Sequence, residues 1–188
     1  QMCIRDSVTK LVGAFERGAE EGRLIAWMRN DDEQNAIKET GIDASLPDPD
    51  DPSADPVAGV YFNNLSFSKL DWYLNADTQI GQGVKNGDGT CSYRITVTLT
   101  NIMTQEEAGK LPDYVAASAP DAARDDERLN VSLFAPTGGN ISDPTVEGTQ
   151  FGLGAATWHG IPFYSGTVDL HAGETTTVSY THLTLPTT

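Results

Sequence analysis

LDWYLNADTQI at residues 70–80 and CSYRITVTLTN at residues 91–101 both alternate apolar with polar side chains. A period of two is typical of half-buried β-strands. Between them, Asn86-Gly87-Asp88-Gly89 consists of residues that tolerate the backbone angles of a turn. The pattern therefore predicts a long β-hairpin. Its buried face carries Trp72, Leu74, Ile95, Val97 and Leu99. A two-stranded hairpin is marginal in water, so further strands must cover that face.

The sequence before this hairpin predicts two helices and one short strand. Apolar residues recur at helical spacing at Val8, Leu11, Val12, Phe15 and Ala19, which indicates an amphipathic helix. The apolar run at residues 24–28 is too short for a helix and is interpreted as a buried strand. A second helix is predicted over residues 32–40. Its expected start and stop signals are Asp31 as N-cap, Gln34 in the capping-box position and Gly41 at the end.

The remaining pattern predicts an all-β domain. Residues 47–56 are rich in Pro and Asp and have the composition of a linker. Short strand signals follow it at residues 57–62, 129–133, 145–151 and 157–170, and from residue 175 onward. We therefore predict an α+β chain: a helix–strand–helix region at residues 8–46, then an antiparallel, immunoglobulin-like β-sandwich at residues 57–177.

Composition and charge narrow the function classes. The chain has 188 residues, 38% of them hydrophobic, which is enough for a packed core. Its formal net charge of −15 opposes binding to nucleic acid or to anionic membrane surfaces. No apolar run is long enough for a membrane span, and no signal peptide is recognisable at the start.

Both ends of the chain resemble sequences that recur at the ends of unrelated metagenomic reading frames, where they look like translated sequencing adapter. These ends are residues 1–7 and residues 178–188. The resemblance implies a native sequence of about residues 8–177, which leaves Cys91 as its cysteine and removes His182 from consideration. Neither a disulfide framework nor a cysteine-based zinc site is then expected.

Seven short blocks of the sequence resemble consecutive blocks of one family and occur in the same order as in that family. The family is domain of unknown function 4012, which is found mainly in actinobacterial surface proteins. The blocks are GRLIAW from Gly22, EQ from Glu33, GVYFN from Gly59, KLDWYL from Lys69, YRITVTLTN from Tyr93, LPDYV from Leu111 and AGE from Ala172. The resemblance implies an extracytoplasmic part of a membrane-anchored protein. It implies no established activity, so no catalytic residue is carried over.

Motifs with possible chemistry each have a plainer alternative. Asn86 to Thr90 resembles part of a calcium loop, but it lacks the closing Glu and is interpreted as the hairpin turn. The acidic residues at 47–56 are interpreted as a solvated loop rather than a cation site. The spacing of His159 and His171 does not match a metal-binding motif, so we interpret both as ordinary surface or hydrogen-bonded histidines. We therefore predict no catalytic residue, cofactor or metal site.

Two groups of residues are candidates for a binding surface. Lys69, Asp71 and Tyr73 share the solvent face of the predicted strand, opposite Trp72. Asp113 and Tyr114 follow a proline in a loop and could dock a partner. The alternative is that Tyr114 closes the open end of the sandwich while Asp113 caps the turn.

The predicted function is a non-enzymatic extracytoplasmic module of a membrane-anchored cell-envelope protein. It would present a binding or structural surface to an envelope polymer or a surface protein. The alternative is a cell-wall glycan hydrolase or transferase that uses carboxylate acid/base chemistry, since the carboxylates are numerous enough to supply a pair.

Overall fold

The computed structural model of the chain describes residues 8–20, 24–43, 58–118, 122–136, 138–152 and 154–184. The chain forms two compact units, Gln1–Pro47 and Asp48–Thr188. The predicted linker at residues 47–56 lies outside the described residues, as do the terminal segments 1–7 and 185–188.

The first unit contains two helices, α1 (Val8–Glu20) and α2 (Asp31–Glu39). The N-cap of α2 is Asn30, not Asp31: the Asn30 side chain accepts hydrogen bonds from the backbone N–H groups of Asp32 and Glu33. Gln34 does not complete a capping box, because its Oε1 accepts from the Met28 backbone N–H at 2.7 Å. Gly41 has a φ of 73°, which suits its predicted place at the helix end.

The predicted short strand at residues 24–28 is wrong. These residues have no regular secondary structure, and Ile25 and Trp27 are 64% and 73% exposed. A strand needs a ladder of backbone bonds along a neighbour. Among the described residues, the segment makes one backbone bond from Ala26 N–H to the Ile42 carbonyl and one from Leu24 N–H to the Gly18 carbonyl. An apolar run without a partner strand therefore stays irregular.

The second unit is a β-sandwich of two antiparallel sheets, with ten strands among its described residues. The strands are β1 (Gly59–Asn64), β2 (Leu74–Ile80), β3 (Val84–Lys85), β4 (Cys91–Asn101), β5 (Glu127–Phe134), β6 (Asn140–Val146), β7 (Thr149–Gln150), β8 (Ala155–Trp158), β9 (Ile161–Leu170) and β10 (Thr175–Thr184). One sheet has the order β1-β5-β9-β8. The other has the order β2-β4-β10-β6-β7, with β3 also paired to β4.

The core lies between the two sheets and follows the period-two pattern. Ile95, Val97 and Leu99 of β4 are at most 2% exposed, as the alternation predicts. The facing sheet contributes alternate residues of β5, which are Leu129, Val131 and Leu133, each at 0% exposure. A one-residue slip of either strand would turn these side chains to solvent, so the register is strongly specified.

The first strand of the predicted hairpin is only partly correct. β2 pairs with β4 from Leu74 opposite Asn101 to Ile80 opposite Ile95, but Leu70–Tyr73 forms a 3₁₀ helix. Trp72 is therefore not in the core; it is 83% exposed. In a 3₁₀ helix residues i and i+3 share a side, so Leu70 and Tyr73 face inward while Trp72 faces away. β2 is an edge strand, and of its residues Leu74 alone packs against the core cluster.

Two of the later strand predictions contain turns. Residues 145–151 are divided by a turn at Glu147 and Gly148, whose φ angles are 46° and 77°. The glycines of residues 157–170 predict a break at Gly160 or at Gly166; the structure has a turn at His159 and Gly160, while Gly166 lies inside β9.

The last strand continues beyond the predicted end of the sandwich at residue 177. β10 runs to Thr184 between β4 and β6, and Val178, Tyr180 and His182 are 0%, 0% and 4% exposed. Residues 178–184, whose sequence resembles adapter, thus form the centre of the larger sheet. Their alternation of buried and less buried residues meets the same physical requirement as that of β4.

Candidate functional site

Two loops meet at one end of the sandwich, and we name residues 64–73 and 111–118 together the loop platform. Backbone hydrogen bonds join them: Lys69 N–H donates to the Val115 carbonyl at 3.0 Å and Ser118 N–H donates to the Ser66 carbonyl at 3.2 Å. The Ser118 hydroxyl also donates to the Phe67 carbonyl at 3.0 Å. These bonds hold two segments that are far apart in sequence in one fixed arrangement.

The platform rests on its own hydrophobic cluster. The buried residues of this cluster are Leu70, Met103, Ala108, Leu111, Ala116 and Ala172. A short helix, α3 (Gln105–Ala108), closes the cluster and begins with a capping box between Thr104 and Glu107. The 3₁₀ turn places Leu70 at 0% exposure in the cluster and packs Tyr73 against its side.

Three aromatic side chains project from the platform into solvent. Phe67, Trp72 and Tyr114 are 81%, 83% and 71% exposed. Phe67 has a φ of 52°, which an L side chain rarely adopts and which costs backbone strain. The aromatic rings are thus displayed by a backbone that is anchored by hydrogen bonds. Tyr114 does not close the end of the sandwich, because most of its surface is open to water.

All five predicted binding residues lie in the platform, although not for the predicted reason. Lys69, Asp71 and Tyr73 do not share a strand face, since Leu70–Tyr73 is helical. The Lys69 ammonium instead lies 5.1 Å from the ring centroid of Tyr114, within the range of a cation–π contact. Asp71 accepts a hydrogen bond from the Asn64 amide at 3.1 Å.

Asp113 is held by an ion pair rather than by a turn cap. The Arg124 guanidinium donates to Asp113 Oδ1 at 2.8 Å and also to the Leu111 carbonyl. Because the Asp113 side chain is 96% exposed, this pair contributes little to stability. The ion pair does, however, orient the Asp113 side chain, which lies next to Tyr114 in the sequence.

Glu127 is a buried carboxylate below the platform. It begins β5 on the inward-facing side, is 0% exposed, and neither of its carboxylate oxygens has a hydrogen-bond partner among the described residues. Burial raises the pKa of Glu127 to about 8, and repulsion by the Asp71 carboxylate adds to this rise. Glu127 therefore carries a proton at neutral pH in the folded chain.

His182 is another buried residue whose pKa is shifted by its surroundings. It is 4% exposed in β10, and its ring lies 5.1 Å from that of Tyr180. Burial lowers the pKa of His182 to about 4, and a hydrogen bond with the Phe134 backbone only partly opposes this. The imidazole is thus neutral at physiological pH and acts as a core residue.

The other sequence candidates occupy ordinary positions. Asp88 accepts from the Thr90 N–H at 3.0 Å and the Thr90 hydroxyl at 2.7 Å, so its carboxylate is engaged in the predicted turn. These bonds lower the pKa of Asp88. His159 and His171 are both exposed. Within the described ranges, no group of three or more His, Cys, Asp or Glu side chains is placed to hold a metal ion.

Sequence reasoning missed Phe67, Trp72 and Glu127. A signal for the loop was present, because Asn64, Ser66 and Ser68 have side chains that compete for backbone hydrogen bonds. Asn64 Oδ1 indeed accepts from Ser66 N–H at 2.7 Å and Ser68 Oγ from Leu70 N–H at 3.3 Å. Nothing in the sequence marks the positive φ of Phe67.

No family model, no curated protein and no solved structure matches the chain. Among the helices of the described ranges, none is both long and apolar enough to cross a lipid bilayer.

Proposed function

We propose that this chain is a non-enzymatic, extracytoplasmic module of a membrane-anchored cell-envelope protein, and that its loop platform binds an envelope polymer. The resemblance to domain of unknown function 4012 supports the location. The exposure of Phe67, Trp72 and Tyr114 on hydrogen-bonded loops is the observation that carries the binding role.

Exposed aromatics on fixed loops suit recognition for two physical reasons. Aromatic rings supply large contact areas and are enriched where binding energy concentrates. Anchoring the backbone beforehand lowers the entropy lost on binding. The strain at Phe67 and the open position of Trp72 bring no packing benefit to the folded chain, which favours a role outside it.

Co-sedimentation of the purified chain with insoluble, purified cell-wall polymer tests the proposal. We expect Trp72→Ala and Tyr114→Ala each to reduce the bound fraction severalfold at a fixed polymer concentration. Trp27→Ala is the matched control, because Trp27 is a 73% exposed tryptophan of the first unit and is not part of the platform. Equal binding by all three variants and the parent chain would refute the proposal. If the chain binds only when a cell-surface protein is added, its partner is a surface protein rather than an envelope polymer.

Glu127 favours the alternative, a cell-wall glycan hydrolase or transferase. Its raised pKa is that of a general acid, and Asp71 is a second carboxylate nearby. Against it stands the burial of the whole Glu127 side chain, since an acid must reach the bond it protonates. Soluble sugar released from cell-wall material by the parent chain, and not by Glu127→Gln, would establish this alternative and displace the first.

We assign the sandwich to the immunoglobulin-like class, supported by short antiparallel strands in two facing sheets with chain crossings between them.

The extracytoplasmic location is tested by adding protease to intact cells that produce the full membrane-anchored protein. A module exposed on the envelope is cleaved without lysis, and full protection contradicts the location.

A further inference from the structure

The outer face of the four-stranded sheet is ordered in rows, because side chains of paired residues stand side by side. Phe134 pairs with Phe163, Ser132 with Ser165, and Asn130 with Thr167. On the neighbouring strand β1, Tyr61 pairs with Ser132 and Asn63 with Asn130. Since alternate residues of β1 and β5 fill the core, this second set faces solvent.

One end of this face is aromatic. The rings of Phe134 and Phe163 are stacked, with centroids 5.0 Å apart and planes at 14°. Tyr61 meets Phe134 edge-on at 5.4 Å and is 50% exposed. Its ring covers Gly59, where a Cβ atom would lie 2.5 Å from the Tyr61 ring. Glycine at position 59 is thus what allows the ring to lie along the sheet.

The centre of the face is concave and carries the polar side chains of Asn130, Ser165 and Thr167. A depression of about 580 Å³ is lined by Asn130, Gly152, Ser165, Gly166 and Thr167. The Ser165 hydroxyl donates to Asn130 Oδ1 at 2.7 Å and lies 3.4 Å from the Ser132 hydroxyl, so the amide oxygen rather than the amide N–H groups of Asn130 is engaged in this bond. The backbone of Gly152 closes one side, with its Cβ position only 2.6 Å from the Ser165 carbonyl. The volume is in the usual range of small-ligand sites.

The central rows of the face, residues 130–134 and 163–167, contain no charged side chain, although the chain has a formal net charge of −15. The charged side chains lie at one edge of the face, where Arg128 pairs with Asp169 at 2.6 Å and with the buried Asp126 at 3.8 Å. A site for an anionic or cationic ligand would present the opposite charge. The absence of charged groups from the central rows matches a neutral ligand.

We propose that this face binds a neutral oligosaccharide. A sugar ring has an apolar face, which suits the Tyr61 side of the surface, and a rim of hydroxyl groups that both donate and accept hydrogen bonds. The hydroxyls of Ser132, Ser165 and Thr167 and the amides of Asn63 and Asn130 offer both functions in adjacent rows. An apolar peptide or lipid would leave these polar groups without partners.

The site shares no residue with the loop platform, and the inference goes beyond the function proposed for that platform. Either can fail alone: Trp72→Ala changes the platform and leaves the sheet face intact, whereas Tyr61→Ala does the reverse. Binding to insoluble wall that depends on Tyr61 and not on Trp72 would support the sheet face and refute the platform.

Isothermal titration of the full chain with soluble chitotetraose, cellotetraose and mannotetraose tests the inference. We expect saturable binding of at least one of them, weakened about tenfold or more by Tyr61→Ala and by Thr167→Val, a loss comparable to one good contact. Thr167 is exposed, so its variant folds and keeps the test valid if Tyr61→Ala is unstable. Ile80→Ala is the control and is expected to bind as the parent chain does, because Ile80 is 67% exposed on the edge strand of the other sheet and belongs to neither proposed surface.

Two results would overturn the inference. One is the lack of a heat signal with all three sugars up to millimolar concentration. The other is binding that Tyr61→Ala and Thr167→Val both leave unchanged while their thermal midpoints show folded protein.

Discussion

Replacing Glu127 with Gln should remove a pH-dependent loss of stability of the β-sandwich. The folded chain keeps the Glu127 proton up to a pKa of about 8, whereas the model value for an unfolded chain is 4.5. Between these values the folded state binds more protons than the unfolded state, so the free energy of unfolding falls as pH rises. His182 acts in the opposite sense, but only between about pH 4 and its unfolded value of 6.5.

Together, the two groups predict that the free energy of unfolding is nearly constant over a first pH interval and then falls as pH rises further. From about pH 4.5 to 6.5 their slopes cancel. From pH 6.5 to 8 only Glu127 still contributes, at about 1.4 kcal/mol per pH unit, which amounts to a loss of about 2 kcal/mol over the interval. Glu127→Gln keeps the size of the side chain and cannot ionise, so this decline should disappear in the variant.

Urea unfolding at pH 6.5, 7, 7.5 and 8, at constant ionic strength, measures the decline. Glu107→Gln is the matched control: hydrogen bonds from Thr104 lower the pKa of Glu107, so it stays ionised in both states over this interval. We expect the control to decline like the parent chain. A parallel decline in Glu127→Gln would refute the reasoning, whatever the absolute stability of the variant.

Three further predictions concern the sandwich. Ile95→Ala should lower the free energy of unfolding by about 2–5 kcal/mol, because Ile95 is 2% exposed, and Thr96→Ala by about half a kcal/mol; equal urea midpoints would contradict the inward register of β4. Gly166→Ala should cost about 1–3 kcal/mol in thermal unfolding, since the new methyl group would lie 2.7 Å from the Phe151 ring. Gly87→Ala, with nothing within 4 Å, is its control, and an equal loss there would refute the packing argument. A chain that ends at residue 177 should lack a cooperative thermal transition by circular dichroism, because β10 pairs with both β4 and β6. A retained transition would show that the strand is dispensable.

The strands that sequence predicted well are those buried on one face against the other sheet. In β4 and β5 every second side chain must be apolar because it packs between the two sheets, so the period-two pattern correctly predicts both strands. The same pattern was wrong at Trp72, which is exposed, whereas Leu74 packs against the core as predicted. At residues 70–73 the cluster beneath the platform selects Leu70 and Tyr73 at a spacing of three, and this tertiary requirement overrides the local pattern.

The candidate sites depend on contacts between distant parts of the chain. The contact of Lys69 with Tyr114, and the rows formed by Tyr61, Ser132 and Ser165, are created by loop packing and strand pairing. Neither leaves a mark on the local sequence. Glu127 could have been predicted to face inward, since it has the same parity as Leu129 in β5. The run of five charged residues at 124–128, however, is more typical of a solvent-exposed connection than of a buried strand.

Hydrogen–deuterium exchange of the full chain, with and without solubilised cell-wall polymer, tests most directly whether the loop platform is the binding surface. We expect amides at residues 64–73 and 111–118 to exchange more slowly with polymer present, and Trp72→Ala to abolish the change. Slower exchange confined to other parts of the chain, or a change at the platform that Trp72→Ala leaves intact, would contradict it.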